Sequence, residues 1–206
     1  MKVPLRYQMT EYDCGPTSLL NAVSYLFPRE EIPPEIVRSI MLYCLDCFGA
    51  DGSSGTCGTS RTAMLFLSSW LNGYGQASGL PISSRYLSGA RVDLSQNGPL
   101  RDALARGGVA VVRVDLEGEH YVLLTRIDGD RVYLFDPYRQ EEPYDGPGIE
   151  QVEGDPHAYD HIVSAARMER TEQVPYAMGP LPGREAILLF NERTVLTAER
   201  TVEYVI

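Results

Sequence analysis

Nowhere does the chain hold an apolar run near the roughly 20 residues that a membrane-spanning helix needs, and Met1 to Asp13 is too polar for the core of a secretory signal. The expectation is a protein that stays in the cytoplasm. Positive charge is scarce as well: 18 Lys and Arg against 28 Asp and Glu leave a formal net charge of -10 and a pI near 4.8. Without a basic face there is nothing to displace counterions from a phosphate backbone or an anionic headgroup, which argues against nucleic-acid and membrane partners. Cysteines are few, at positions 14, 44, 47 and 57, and a chain of 206 residues buries a core without disulfide staples, so they read as thiols. Cys44-Leu45-Asp46-Cys47 has metal-ligand spacing and Cys57 offers a third sulfur, but the second CxxC or His pair usual in zinc sites is missing. The pair therefore reads as two helical cysteines one turn apart, with no metal and no cofactor implied. Internal repeats and interdomain linkers are also absent, so residues 1–206 are expected to form a single domain.

What is present is an ordinary globular balance, 44% hydrophobic and 22% charged residues. Pro16 to Phe27 places Leu19, Ala22, Val23 and Leu26 on one helical face, with Pro16 suited to the first helical position and Pro28 as the stop. Glu35 to Cys47 repeats the period through Ile36, Val37, Ile40, Met41 and Cys44 after the Pro33-Pro34 pair. Gly49 to Gly58 reads as a loop and Thr59 to Leu71 as a third helix, stopped by Asn72-Gly73. A short helix at Pro99 to Arg106 ends at Gly107-Gly108, and the second half then turns to sheet. Val109 to Val114 is an apolar run, broken only by Arg113, suited to a central strand. Tyr121 to Ile127 and Arg131 to Phe135 flank an Asp128-Gly129 hairpin signal. Gln140 to Asp160, rich in Pro, Gly and acid, reads as a surface excursion, with Ala186 to Phe190 and Thr194 to Val205 as further strands. The fold class is thus α+β, a helical part over about 1–107 packed on an antiparallel sheet over about 108–206.

Chemistry concentrates at three places. Cys14-Gly15-Pro16 sets a thiol just before a helix, where unsatisfied amides and the helix dipole favour a thiolate. Of the three histidines, 120, 157 and 161, His120 opens a strand at the rim of the sheet. Whether it meets Asp136 depends on the hairpin register, because side chains alternate faces. A two-residue loop at 128–129 puts the two on opposite faces. A three-residue loop, Ile127-Asp128-Gly129 with Gly129 left-handed, sets Arg126 against Asp130, Leu124 against Val132 and His120 directly against Asp136. That loop is the expected one. Asp136 would then hold one imidazole nitrogen while the other takes the Cys14 proton, and Gln8 would offer an amide donor to an oxyanion beside the Cys14 amide.

The segment Gln8-Met9-Thr10-Glu11-Tyr12-Asp13-Cys14-Gly15-Pro16-Thr17-Ser18, followed by His120-Tyr121-Val122-Leu123-Leu124 and by Asp136-Pro137-Tyr138, resembles the bacteriocin-processing, double-glycine cysteine peptidase family. The match covers about Tyr7 to Tyr138. It implies a papain-like fold in which Gln8 forms the oxyanion hole, Cys14 attacks, His120 is the base and Asp136 orients it. The best-known members fuse this domain to membrane spans and a transport ATPase. Neither is present here, so the resemblance implies a free-standing relative acting on a peptide or small amide. Acyl transfer to an amine through the same thioester, and a non-catalytic peptide-binding module, are the alternatives.

Overall fold

The computed structural model describes residues 1–139, 144 and 146–196. Its helices are α1 (Cys14–Leu26), α2 (Pro34–Cys44), α3 (Arg61–Ser78), α4 (Pro99–Ala105) and α5 (Ala165–Met168). Its strands are β1 (Ile82–Ser88), β2 (Val109–Asp115), β3 (Glu119–Asp128), β4 (Arg131–Phe135), β5 (Ile149–Gln151), β6 (His161–Ser164) and β7 (Glu185–Asn191). The strands form one antiparallel sheet in the order β1-β7-β2-β3-β4-β6-β5. The architecture is α+β, as expected, with α1 lying against β3 and β2.

Both faces of the sheet are covered, which explains why Val109 to Val112 of β2 are all apolar. Val109 and Val111 point into a core shared with Leu19, Val23, Ile40 and Leu67, while Ala110, Val112 and Val114 join Leu100, Leu124, Val132 and Met168 on the other face. The four apolar positions expected to face inward on α1 all do so. Leu19, Val23 and Leu26 each contribute about 1.5–3 kcal/mol relative to exposure.

Several boundaries differ from the sequence reading, each for a tertiary reason. The first α1 ladder bond runs from the Thr17 amide to the Asp13 carbonyl, so Cys14 is itself the first helical residue and Pro16 sits one half-turn inside. Helix α3 does not stop at Asn72-Gly73. The Asn72 side chain bonds both the amide and the carbonyl of Ser84 at 2.8 Å, giving partners to backbone groups on edge strand β1. The helix instead ends at Gly79, with φ 76°. Cys47 lies beyond the end of α2, so Cys44 and Cys47 are not one turn apart on a helix. All four thiols are free. Burial pushes the Cys44 thiol pKa up, and for Cys47 partial burial and Asp46 act in the same direction. The excursion after Gln140 is tied down where described: β5 pairs with β6, and Arg131 pairs with Glu150. The strand expected over 194–205 falls largely outside the described residues, and 192–194 form a turn.

The hairpin differs most. Asp128 pairs with Arg131, leaving a two-residue loop of Gly129 and Asp130 in which Gly129 has φ 58°. Arg126 pairs with Tyr133, its guanidinium 3.8 Å from the ring centroid, and this cation-π contact replaces the expected pairing with Asp130. A bulge between Leu124 and Arg126 then advances the register by one residue, to Leu124 with Leu134 and Leu123 with Phe135. Continued one step, that register sets Asp136 opposite Val122, on the same face as His120 and diagonal to it. The two-residue loop alone would have separated them, and the bulge at Thr125 restores the parity.

Two glycines of α3 test the packing account with opposite signs. A Cβ on Gly75 would lie 2.7 Å from the Ile82 carbonyl oxygen, whereas one on Gly73 meets nothing within 4 Å. Gly73→Ala is expected to raise stability by about 0.5–1 kcal/mol. Gly75→Ala is expected to lower it by about 1–3 kcal/mol despite the same gain in helix propensity. Urea unfolding midpoints of the two variants check both signs.

Candidate active site

The segment before α1 is built around Asp13. Its carboxylate accepts hydrogen bonds from the Met9 amide (3.0 Å) and from the amide (2.7 Å) and hydroxyl of Thr10. Burial alone would raise the Asp13 pKa, but these donors outweigh it and hold the carboxyl below the usual range. The carboxylate makes no capping bond to the helix, so the side chain that most often occupies the orphan amides of a first turn is turned to the loop instead. Cys14, at 7% exposure, stands at that uncapped end. A Cβ on Gly15 would come within 2.3 Å of the Thr59 hydroxyl oxygen, so glycine here permits the helix start to pack against the chain ahead of α3.

His120 lies at the start of β3, buried, and α1 is fastened beside it by the Ser18 hydroxyl, which donates to the Tyr121 carbonyl at 2.9 Å. The His120 Nε2 is 2.7 Å from Asp136 Oδ1, leaving Nδ1 as the remaining ring nitrogen, with the Cys14 thiol as the other polar neighbour of the ring. Burial pulls the imidazole pKa down, but the hydrogen bond and charge of Asp136 and the neighbouring Cys14 outweigh it and raise it to about 10.

Asp136 has no solvent exposure. Its Oδ1 also accepts the Tyr138 amide at 2.8 Å, its Oδ2 accepts the Tyr176 hydroxyl at 2.8 Å, and its own amide donates to Asp160 Oδ1 at 2.9 Å. Asp160 in turn holds His161 Nδ1 at 2.8 Å. Neither Tyr176 nor Asp160 was singled out from the sequence. Asp160 carries no local motif, and Tyr176 stands far down the chain in a left-handed conformation, φ 64°, that no short pattern announces.

Gln8 is fixed by its amide, which donates to the Pro137 carbonyl at 2.8 Å, so the segment before Cys14 is stitched to the loop carrying Asp136. Its side-chain Nε2 donates to the Thr10 carbonyl at 2.7 Å, and Oε1 is buried with no partner among the described residues. The structure thus brings Gln8, Cys14 and His120 to one cleft of about 310 Å³, with Asp136 behind the ring, but the Gln8 amide is turned onto its own loop. Tyr138 and Tyr144 line the same cleft, and Glu11, Glu117 and Glu119 give its rim a negative charge. The other two histidines are elsewhere engaged, His157 with Asp155 and His161 with Asp160. A larger cavity of about 550 Å³, bounded by Lys2, Tyr25, His157 and Arg193, holds no cysteine.

Among the described residues no helix is long and apolar enough to cross a membrane, and no cluster of His, Cys, Asp and Glu is arranged to hold a metal ion.

Because the folded His120 titrates above its unfolded value of 6.5, the pair with Asp136 contributes its stability in full below about pH 6.5 and loses it as pH rises toward about 10. The stability difference between wild type and His120→Gln is therefore expected to be largest near pH 6 and to shrink steadily toward pH 10. Urea midpoints across that range read it directly.

Comparison with protein-family models matches residues 1–165 to the Peptidase_C39 like family. A comparison with curated proteins gives no match.

Proposed function

The chain belongs to the Peptidase_C39 like family, whose chemistry is that of cysteine peptidase-type hydrolases, and we propose that it hydrolyses a peptide or small amide bond through a thioester on Cys14. The observation that carries this reading is the buried His120–Asp136 pair, whose 2.7 Å contact uses Nε2 and leaves Nδ1 for the thiol at the head of α1. In the first half-reaction the Cys14 sulfur attacks the carbonyl carbon and the thiol proton resides on His120 Nδ1. As the tetrahedral intermediate collapses, that proton passes to the leaving amine and the acyl group remains on sulfur. His120 Nδ1 then takes a proton from water, the hydroxide attacks the thioester, and the proton returns to the departing thiolate. Asp136 stays ionised throughout, orienting the ring and balancing its charge.

The oxyanion of each intermediate would be met by the Cys14 amide and by Gln8. One Gln8 Nε2 hydrogen is directed at the Thr10 carbonyl, so the donor is the second hydrogen or an amide that turns as substrate enters. Tyr138 and Tyr144 narrow the cleft, which suits small residues on the acyl side of the scissile bond, the paired glycines of the sequence resemblance among them. The acidic rim favours positively charged groups close to that bond.

Alkylation of a thiol forms no oxyanion, so two readouts separate the roles. Iodoacetamide is expected to label Cys14 faster than the exposed Cys57 below pH 8, and His120→Ala is expected to remove that advantage. Gln8→Ala is expected to leave alkylation unchanged but to slow hydrolysis of a peptide panel by about 10²–10³-fold. Labelling of Cys14 no faster than Cys57 would replace the hydrolase with a peptide-binding module, and transfer of the acyl group to added amines would mark an acyltransferase.

A further inference from the structure

The carboxylate of Asp136 is enclosed completely, and its two oxygens are held from different parts of the chain. Oδ1 receives His120 Nε2 and the Tyr138 amide, both close to the Asp136 loop. Oδ2 receives the Tyr176 hydroxyl, from a segment that lies beyond residues 1–165, the stretch matched by the family model. We propose that Tyr176 is a positioning residue for the Cys14 reaction: its hydroxyl fixes the rotation of the Asp136 carboxylate and so the aim of the His120 ring. This rests on the hydrolase reading given above.

Three features make the contact more than a buried hydroxyl finding an acceptor. The Tyr176 side chain has no exposure, and its backbone is left-handed, a conformation that aromatic residues rarely take. That conformation is imposed from outside. The Tyr176 amide donates to the Asp115 carbonyl at 2.8 Å, the Asp115 amide donates to the Ala177 carbonyl at 2.8 Å, and Arg167 Nε donates to the Pro175 carbonyl at 3.0 Å. The segment is thus sewn to the end of β2, directly ahead of the Leu116–Glu119 turn that walls the cleft. Finally, without the hydroxyl Oδ2 faces neither solvent nor another donor among the described residues, and a buried carboxylate lacking donors shifts toward its neutral form. A neutral Asp136 neither counters imidazolium nor holds Nε2 as a charged acceptor.

The charged and titratable groups around this contact come from every neighbouring element. Asp160 faces the Asp136 amide, with Tyr7 and His161 bonded to Asp160. The His161 ring is 5.5 Å and the Tyr144 ring 6.4 Å from the Tyr176 ring, and Glu117 stands next to Tyr144. Cys14 lies on the far side of His120. None of these supplies a second donor to Oδ2.

The test is the ring titration of His120 followed by NMR in wild type, Tyr176→Phe and Asp136→Asn, with Cys14 alkylation against pH measured on the same samples. Tyr176→Phe keeps the ring and removes one oxygen. It is expected to lower the His120 midpoint by about one pH unit, part of the way to Asp136→Asn, the size of one hydrogen bond to a charged acceptor. A His120 midpoint equal to wild type overturns the inference. A lowered midpoint in a protein whose Cys14 has no His120-dependent advantage supports the hold of Tyr176 on Asp136 and overturns the hydrolase reading instead. Should Tyr176→Phe not fold, the wild-type Tyr176 hydroxyl proton gives the answer: its resonance is expected to move as His120 titrates, and a resonance that stays fixed overturns the proposal.

Discussion

An ionised carboxylate shut away from water persists only while donors surround it, and in this molecule that condition at Asp136 draws the separate parts of the fold together. Its donors come from β3, from the turn after β4 and from the segment after α5, while Asp160 takes its amide. Removing any one leaves a charge uncompensated in a site of low dielectric, which is costlier than losing the same contact at the surface. The sheet therefore does more than supply a hydrophobic floor. By covering both of its faces, the chain buries the Asp136 carboxylate, and makes the geometry around His120 depend on the packing of distant elements.

Position matters as much as identity on the thiol side. An aspartate just before a helix ordinarily caps it. Here Asp13 accepts the Met9 and Thr10 amides instead, meeting α1 only through the Thr17 hydroxyl at 3.4 Å, and the first-turn amides have no side-chain cap. Gln8, directly before that loop, is stitched to Pro137, the residue immediately after His120's partner Asp136. The two walls of the cleft are thereby connected by a backbone bond and not only by side chains meeting across a gap.

How much of this was legible in advance follows from range. The inward stripe of α1 and the largely apolar run of β2 rest on local pattern, and both are readable. The hairpin was read to the right face for the wrong reason. A bulge at Thr125 depends on how Arg126 and Tyr133 settle against each other, and no turn signal encodes it. The end of α3 was missed because Asn72 and Gly75 answer to Ser84 and Ile82 of β1 and not to their own helix. Tyr176 was invisible for the same reason at greater distance: its backbone angle is imposed by Asp115 and Arg167, so nothing adjacent in sequence advertises it.

The bulge has a consequence for how this chain can drift over generations. The offset it introduces lies between the turn and the rim, so the face that His120 takes is the sum of two choices, the loop at Gly129 and the bulge at Thr125. Turn residues can be exchanged at constant loop length, and a change of loop length keeps His120 on its face only if the bulge at Thr125 is lost with it. A deletion on the rim side of Thr125 has no such buffer and swings His120 to the opposite face of the sheet. Sequence change should therefore accumulate at the outer half of the hairpin and be purged from the inner half, although the two are parts of one continuous strand.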